Sequence, residues 1–420
     1  MQKIDLLGLD IACYKEKLKN GLEVFMLPYE NKKNYFISYA TRFGSDVLEF
    51  VDSKGKKHKL CEGIAHFLEH KMFEQEDGVD PFTFFSESGT DSNASTSFDN
   101  TQYICYGTKK FEENLRYLLK FVNSPYYTDE NVLKEKGIIA EEIKMYEDIP
   151  DFKLEMKLRE ALYKNSSRRI DIAGSIEEIN KITKEDLYNC YNSFYSPENM
   201  FVLIVGNFSY KKALKIIEEE IGDIKNRNKP KVNTIKEPVA VNTKEVILKE
   251  NIEVPKIGLG LKVSTKNMKM DDLELDLYLN LLTTLIFGSS SEFRERVRNE
   301  KLLSSMYIEW ESLPDFKTFY LMASTINPEK LLEEIKYELD NLNISINAFE
   351  RIKKVWIANE VKIIDSIDAT VNNIFDDILK YRKIIPNKLD IIRNMNIDKM
   401  NEIIKNINFK NISIVKMIGK

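Results

Sequence analysis

The second half of this 420-residue chain repeats the first at a nearly constant offset. Phe201-Val202-Leu203-Ile204-Val205-Gly206 has its counterpart in Ile414-Val415-Lys416-Met417-Ile418-Gly419, 213 positions later. Each run is preceded by a helical segment with an N-cap candidate, Thr183 in one case and Asn396 in the other. Tyr103-Ile104-Cys105-Tyr106 likewise matches Phe319-Tyr320-Leu321-Met322, and Ile139-Ala140-Glu141-Glu142-Ile143-Lys144 matches Ile357-Ala358-Asn359-Glu360-Val361-Lys362. Offsets held between 213 and 218 in three places indicate a diverged duplication of a domain. A chain of this length also exceeds what one ordinary hydrophobic core organises. Between the copies, Asn226-Arg227-Asn228-Lys229-Pro230-Lys231, running on to Pro238, is the extended polar, proline-bearing stretch near the middle and reads as a linker. The expected division is a domain over residues 1–225, a linker over 226–238 and a second domain over 239–420.

Each copy mixes strand and helix patterns. Asn20-Gly21 ahead of Leu22-Glu23-Val24-Phe25-Met26-Leu27 signals a hairpin, and Tyr35-Phe36-Ile37-Ser38-Tyr39-Ala40-Thr41 a further strand. The lysine-rich stretch from Ser53 to Lys59 reads as an exposed loop, which makes His58 a surface residue. Helical sequence runs from Phe111 to Val122, Thr128 stands as an N-cap for the next helix, and Thr183 opens another with a capping box. A hydrophobic content of 43% with 31% charged residues is that of a soluble globular protein. The net charge of -5 lacks the basic surplus of a nucleic-acid binder. No run approaches the length of a membrane span, and the first ten residues lack the pattern of a signal peptide. The cysteines, Cys13, Cys61, Cys105 and Cys190, show no C-x-x-C pairing and read as thiols in a reducing compartment, which points to the cytoplasm.

Only three histidines occur in the chain, and two of them fall in Gly63-Ile64-Ala65-His66-Phe67-Leu68-Glu69-His70-Lys71-Met72-Phe73. The run has no Gly or Pro after Gly63, and Ile64, Phe67, Leu68 and Met72 recur at spacings of three and four, which predicts an amphipathic helix. On such a helix His66 and His70 lie one turn apart on one face and reach a common ion. Glu69 lies beside that ion rather than opposite it. Two neutral imidazoles with a carboxylate placed to take a proton from metal-bound water form a zinc arrangement. The alternative, a helix with two buried histidines bonded to backbone or carboxylate, requires partners for three polar groups on an apolar face.

The order H-x-x-E-H is the inverzincin signature. The run resembles the pitrilysin family of zinc metallopeptidases, which includes insulysin and the β subunit of the mitochondrial processing peptidase. The resemblance covers essentially the whole chain. It implies an α+β fold of two homologous halves, each an antiparallel-rich sheet with helices packed on one face, closing like a clamshell on a peptide. It also implies a third zinc ligand from a second helix, and Glu135-Lys136-Gly137-Ile138-Ile139-Ala140-Glu141-Glu142-Ile143 falls at the family's distance. The family pattern places that ligand at Glu142, and the duplication agrees, since Glu360 is the counterpart of Glu142 and Asn359 that of Glu141. Glu135, two turns earlier on the same face, matches a family glutamate that orients a ligand or shares in proton transfer.

Asp91 to Phe98, followed by the β-prone run Thr101 to Tyr106, resembles the family's active-site edge strand, so Asn93 and Ala94 are expected to contact substrate backbone. The second half contains no histidine, and Thr284-Leu285-Ile286-Phe287-Gly288-Ser289, where the motif helix would recur, offers no ligand. That copy is expected to be structural. In the family the second half supplies an arginine and, seven residues on, a tyrosine. Arg298 fits the first, but Ser305 stands at the second, and Tyr307 comes two residues late, where a bulge or gap would have to bring it in.

The resemblance therefore implies a zinc-dependent endopeptidase of the bacterial two-domain type, acting on unstructured peptides or peptide precursors, with Glu69 as the base. The rival is a non-catalytic homologous subunit serving assembly or peptide binding, which would have no need of Glu69. The missing tyrosine points to a heterodimer with a homologous subunit that lacks the zinc motif, a homodimer being the alternative. Neither nucleic acid nor membrane is expected as a partner.

Overall fold

The computed structural model describes residues 1–6, 8–9, 11–225, 230–233 and 235–420. Contacts group them into two compact units that draw on segments from both sides of residues 226–238. One comprises Met1–Lys144, Asp171–Thr234 and Val361–Asn387, the other Met145–Ile170, Ile235–Glu360 and Lys388–Lys420.

In the first unit, the hairpin signalled by Asn20-Gly21 joins β2 (Ile11–Lys17) to β3 (Glu23–Pro28), with β1 (Gln2–Leu6) outside β2. β4 (Tyr35–Thr41), β7 (Asp91–Thr96), β8 (Thr101–Gly107) and β9 (Met200–Gly206) complete a sheet of order β1-β2-β3-β9-β4-β8-β7. β3 and β9 are parallel, and every other pair is antiparallel. Because side chains alternate along a strand, β9 sends Val202 and Ile204 to one core and Phe201, Leu203 and Val205 to another. The first core is roofed by the helices Ile64–Met72, Phe111–Val122, Lys184–Phe194 and Tyr210–Ile221. In addition, the helix Ile367–Tyr381 covers the opposite face through Val371, Ile374, Phe375 and Ile378. β9 lies between them, buried along its whole length.

The lysine-rich stretch expected as a loop is instead a hairpin of β5 (Glu49–Val51) and β6 (Lys57–Lys59), extended by β10 (Lys231–Val232). The Asp52 side chain closes its turn by accepting from the Lys54 and Lys56 backbone N–H groups, each at 2.9 Å. His58 stacks on Phe50 with ring centroids 4.7 Å apart and contacts Asp52 at 2.9 Å. It is half-buried and is not among the residues whose donor atoms gather with those of His66 and His70. Of the expected linker, residues 226–229 and 234 lie outside the described residues, and Lys231–Val232 pairs with β5.

The second unit holds β11 (Glu245–Glu250), β12 (Lys256–Ser264), β13 (Leu303–Leu313), β14 (Phe316–Thr325) and β15 (Ile412–Gly419), in the order β11-β15-β12-β14-β13. Here β11 and β15 are parallel and the remaining pairs antiparallel. This repeats β3-β9-β4-β8-β7 strand for strand, with β15 answering β9 and β14 answering β8, as the sequence offsets require. The helices Asp129–Glu147 and Ile346–Lys362 correspond in the same way. Ile257, Leu259, Leu261 and Val263 of β12 face the main core of this unit. On its other face β12 carries Gly258 and Gly260, against which the helix Pro150–Leu162 packs through Leu154, Leu158 and Leu162. A Cβ at Gly260 would stand 2.5 Å from Leu162 Cδ1, so the close approach of helix to sheet depends on the missing methyl. Among the described residues no helix is long and apolar enough to cross a membrane.

Candidate metal centre

The motif helix is anchored at both levels that position a helix. Phe67, Leu68 and Met72 are wholly buried in the first unit's core, each worth about 1.5–3 kcal/mol relative to exposure. Gly63, at φ 84, caps the N-terminus in the left-handed region, where a side chain is strained. A Cβ there would also overlap the carbonyl of Ala173, and one at Gly174 would overlap the Glu62 carbonyl. These glycines let two chain segments meet backbone to backbone, which sets where the helix begins.

Along that helix His66 and His70 project one turn apart, their ring centroids separated by 4.5 Å. The helix Asp129–Glu147 starts where Thr128 and Asn131 cap one another: the Asn131 N–H donates to Thr128 Oγ1 at 3.1 Å, and the Thr128 N–H to Asn131 Oδ1 at 2.9 Å. It brings Glu142 to both imidazoles, with Oε2 3.4 Å from His70 Nε2 and Oε1 3.8 Å from His66 Nε2. One donor atom from each of His66, His70 and Glu142 lies within 4.8 Å of the others. Tetrahedral zinc with bonds of about 2.0 Å has ligand-to-ligand edges of about 3.3 Å, so the spacings and the N/N/O donor set fit such an ion. Glu141, by contrast, points to solvent and pairs with Lys144 at 2.7 Å.

The electrostatics suit the same use. Burial, aided by the charge of His70, pushes the His66 imidazole down to about 3 and keeps it neutral, as a ligand must be. Burial also disfavours charge on His70, but the hydrogen bond to Glu135 and the surrounding carboxylates outweigh it and draw its pKa up. Glu69 is 8% exposed; burial raises it above the usual carboxylate range, with Glu142 adding to the effect and a hydrogen bond from Thr96 Oγ1 opposing it. Glu135 lies behind His70 with Oε1 3.1 Å from His70 Nδ1. Its burial would raise it, yet the contacts with His70 and Lys71 prevail and hold it low.

β7 is the outer strand of its sheet, its exposed residues alternating with half-buried ones. Asn93 is exposed, Ala94 is half-buried, and the Asn93 side chain accepts from the Ala94 N–H at 2.9 Å. Two positions near the site lay outside the sequence-based expectations. Thr96, at the end of β7, ties that strand to Glu69. Lys71 reaches Glu135 from the motif helix, and its signal was available: a lysine four residues after Phe67 falls on the buried face. In the second unit, Arg298 is exposed on the helix Glu292–Asn299. Ser305 is exposed on β13 just after a bulge between Leu303 and Ser305. Tyr307 is 52% exposed and donates to Glu309 Oε2 at 2.6 Å.

Residues 57–175 match the family described as Insulinase (Peptidase family M16), and residues 181–355 match the Peptidase M16 inactive domain. The uncharacterized zinc protease YmfH of Bacillus subtilis (strain 168) is 36% identical over 386 residues, 89% of this chain and 88% of that protein. The zinc protease PqqE of Helicobacter pylori is 26% identical over 376 residues, 86% and 82% of the two chains. An M16-like peptidase from Alicyclobacillus acidocaldarius has the same fold, with a TM-score of 0.92 at 30% identity over 99% of this chain and 100% of that one. Sequence, duplicated sheet topology and ligand geometry thus converge, and the chain belongs to the insulinase family of peptidases, M16.

Proposed function

We propose that this chain is a zinc-dependent endopeptidase that cleaves unstructured peptides or peptide precursors. The observation that carries the reading is the gathering of His66, His70 and Glu142 donor atoms within 4.8 Å, with buried Glu69 beside them and tied to β7. When bound, zinc supplies Lewis acidity, which lowers the pKa of water and polarises a carbonyl. His66, His70 and Glu142 would hold it. Glu69, raised above the usual carboxylate range by burial, takes the proton of the attacking water and delivers it to the leaving amine. Glu135 accepts from His70 Nδ1–H, leaving the Nε2 lone pair for the metal. β7 offers an open sheet edge to a substrate in extended form, with Asn93 and Ala94 on the docking strand. Strand addition uses main-chain hydrogen bonds, so it tolerates many sequences but requires an unfolded segment.

The test is Glu69→Gln. The variant is expected to keep its zinc by elemental analysis while hydrolysis of an unstructured peptide falls about 10²- to 10⁴-fold. Loss of zinc in step with activity would contradict the assignment of Glu69 as base.

Glu69 also argues against a purely structural subunit, for which a buried carboxylate beside three ligands would be a cost without a use. For the active species we favour a heterodimer with a homologous subunit that lacks the metal motif and presents the arginine and tyrosine. The Ser305 hydroxyl lacks the reach of a tyrosine's, and the Tyr307 hydroxyl donates to Glu309. A homodimer is the alternative arrangement. The four cysteines, all free thiols, support a reducing compartment such as the cytoplasm.

A further inference from the structure

Lys71 is a fully buried cation, 0% exposed, on the helix that carries both histidines. It follows Phe67 by four residues and Leu68 by three, on the face that enters the core, where a leucine or methionine would pack without electrostatic cost. Burying an ammonium is costly by several kcal/mol unless carboxylates surround it. Two do. Glu74 pairs with Lys71 from the following turn, and Glu135 Oε2 lies 3.5 Å from its Nζ. The other oxygen of the same carboxylate, Oε1, is 3.1 Å from His70 Nδ1. One carboxylate is therefore divided between a lysine and a ligand imidazole. His66 has no equivalent backing, for its Nδ1 is buried without a hydrogen-bond partner among the described residues.

We propose that Lys71 is a positioning residue of the metal centre: by holding Oε2 of Glu135 it turns Oε1 onto His70 Nδ1 and so fixes the His70 ring with Nε2 facing Glu142. The inference rests on reading His66, His70 and Glu142 as the zinc site, and it adds a residue that touches neither metal nor substrate. Without Lys71 the Glu135 carboxylate loses one of its two anchors and becomes free to rotate away from the imidazole. Partners that orient a metal-bound histidine are worth about 10- to 100-fold in metal affinity. The geometry specifies the route as well: Lys71 acts on His70 only through Glu135.

That route is tested by a double-mutant cycle on zinc affinity, measured by competition with a chelating dye on the full chain. Lys71→Met and Glu135→Gln should each weaken zinc about tenfold or more. The double variant should be no weaker than Glu135→Gln alone, because the second change removes what the first acts through. Glu74→Gln, which removes the outer carboxylate, should stay within about twofold of wild type. Apo-protein unfolding, followed in parallel, identifies any variant that has lost its fold. Should Lys71→Met not fold, Lys71→Gln carries the same test with a polar side chain too short to reach Glu135. Unchanged zinc affinity at Lys71, multiplied losses in the double variant, or a loss at Glu74→Gln equal to that at Glu135→Gln would each overturn the proposal. A wild-type chain that binds no zinc would instead overturn the metal-site reading itself.

Discussion

Replacing Glu311 by Gln should unfold the second unit at markedly lower denaturant. Glu311, on β13, is 12% exposed in its side chain and receives two guanidiniums. Arg168 Nη1 is 2.9 Å from its Oε1 and Arg159 Nη1 is 3.3 Å away, while the Tyr163 and Tyr320 hydroxyls donate to Oε2 at 2.9 and 2.8 Å. Both arginines lie on the segment Met145–Ile170, which begins in the last turn of the helix bearing Glu142 and packs against the second sheet. Removing one partner of a buried ion pair costs about 3–5 kcal/mol, because the remaining charge stays buried and uncompensated. Arg159 retains Glu155 at 2.9 Å, which puts the expected loss near the lower end, about 3 kcal/mol. Proton linkage through the same contacts gives a second figure. Burial alone would raise Glu311, but Arg168, Arg159 and the tyrosine hydroxyls hold it down to about 2, against 4.5 when free. A carboxyl depressed by that much contributes roughly 3 kcal/mol. The contribution is complete above pH 4.5 and is lost as the pH falls through 2. Both tryptophans, Trp310 and Trp356, belong to the second unit, so their fluorescence in urea reports on it directly. A loss below about 1 kcal/mol for Glu311→Gln at pH 7, or acid unfolding curves of variant and wild type that run in parallel, would refute the reasoning.

The adjacent glutamates should separate by metal content: Glu142→Gln should release zinc or weaken it severely, whereas Glu141→Gln, at an exposed site paired only with Lys144, should leave it bound, as elemental analysis will show. If zinc followed Glu141, the assignment of the third ligand would fail. Purified alone, the chain should cleave an unstructured peptide library poorly, with activity restored by the homologous subunit and unaffected by Tyr307→Phe. An oxyanion donor is worth about 10²- to 10³-fold, so full activity of the isolated chain, abolished by Tyr307→Phe, would exclude the heterodimer.

What the sequence determined by itself was local or repeated. The 3.6-residue period put His66, Glu69 and His70 together on one stretch of helix, because a helix places side chains by spacing alone. The capping residues Thr128, Thr183 and Asn396 and the Asn20-Gly21 turn were legible for the same reason: each satisfies backbone groups within a few residues of itself. The duplication was legible because two copies of one core keep the same apolar pattern, and β15 and β14 indeed occupy the places of β9 and β8. Sequence distance says nothing, however, about which side chains meet when helices pack. Only tertiary structure placed Glu142 against both imidazoles, set Thr96 on Glu69 and gave the buried Lys71 its carboxylate. It alone made a hairpin of the lysine-rich stretch, since the Asp52 turn and the Phe50–His58 stack are invisible to a polarity pattern. It also assigned Met145–Ile170 to the second unit and Val361–Asn387 to the first. A helix with one apolar face packs on whichever sheet surface is left uncovered, and that surface exists only once the strands have assembled.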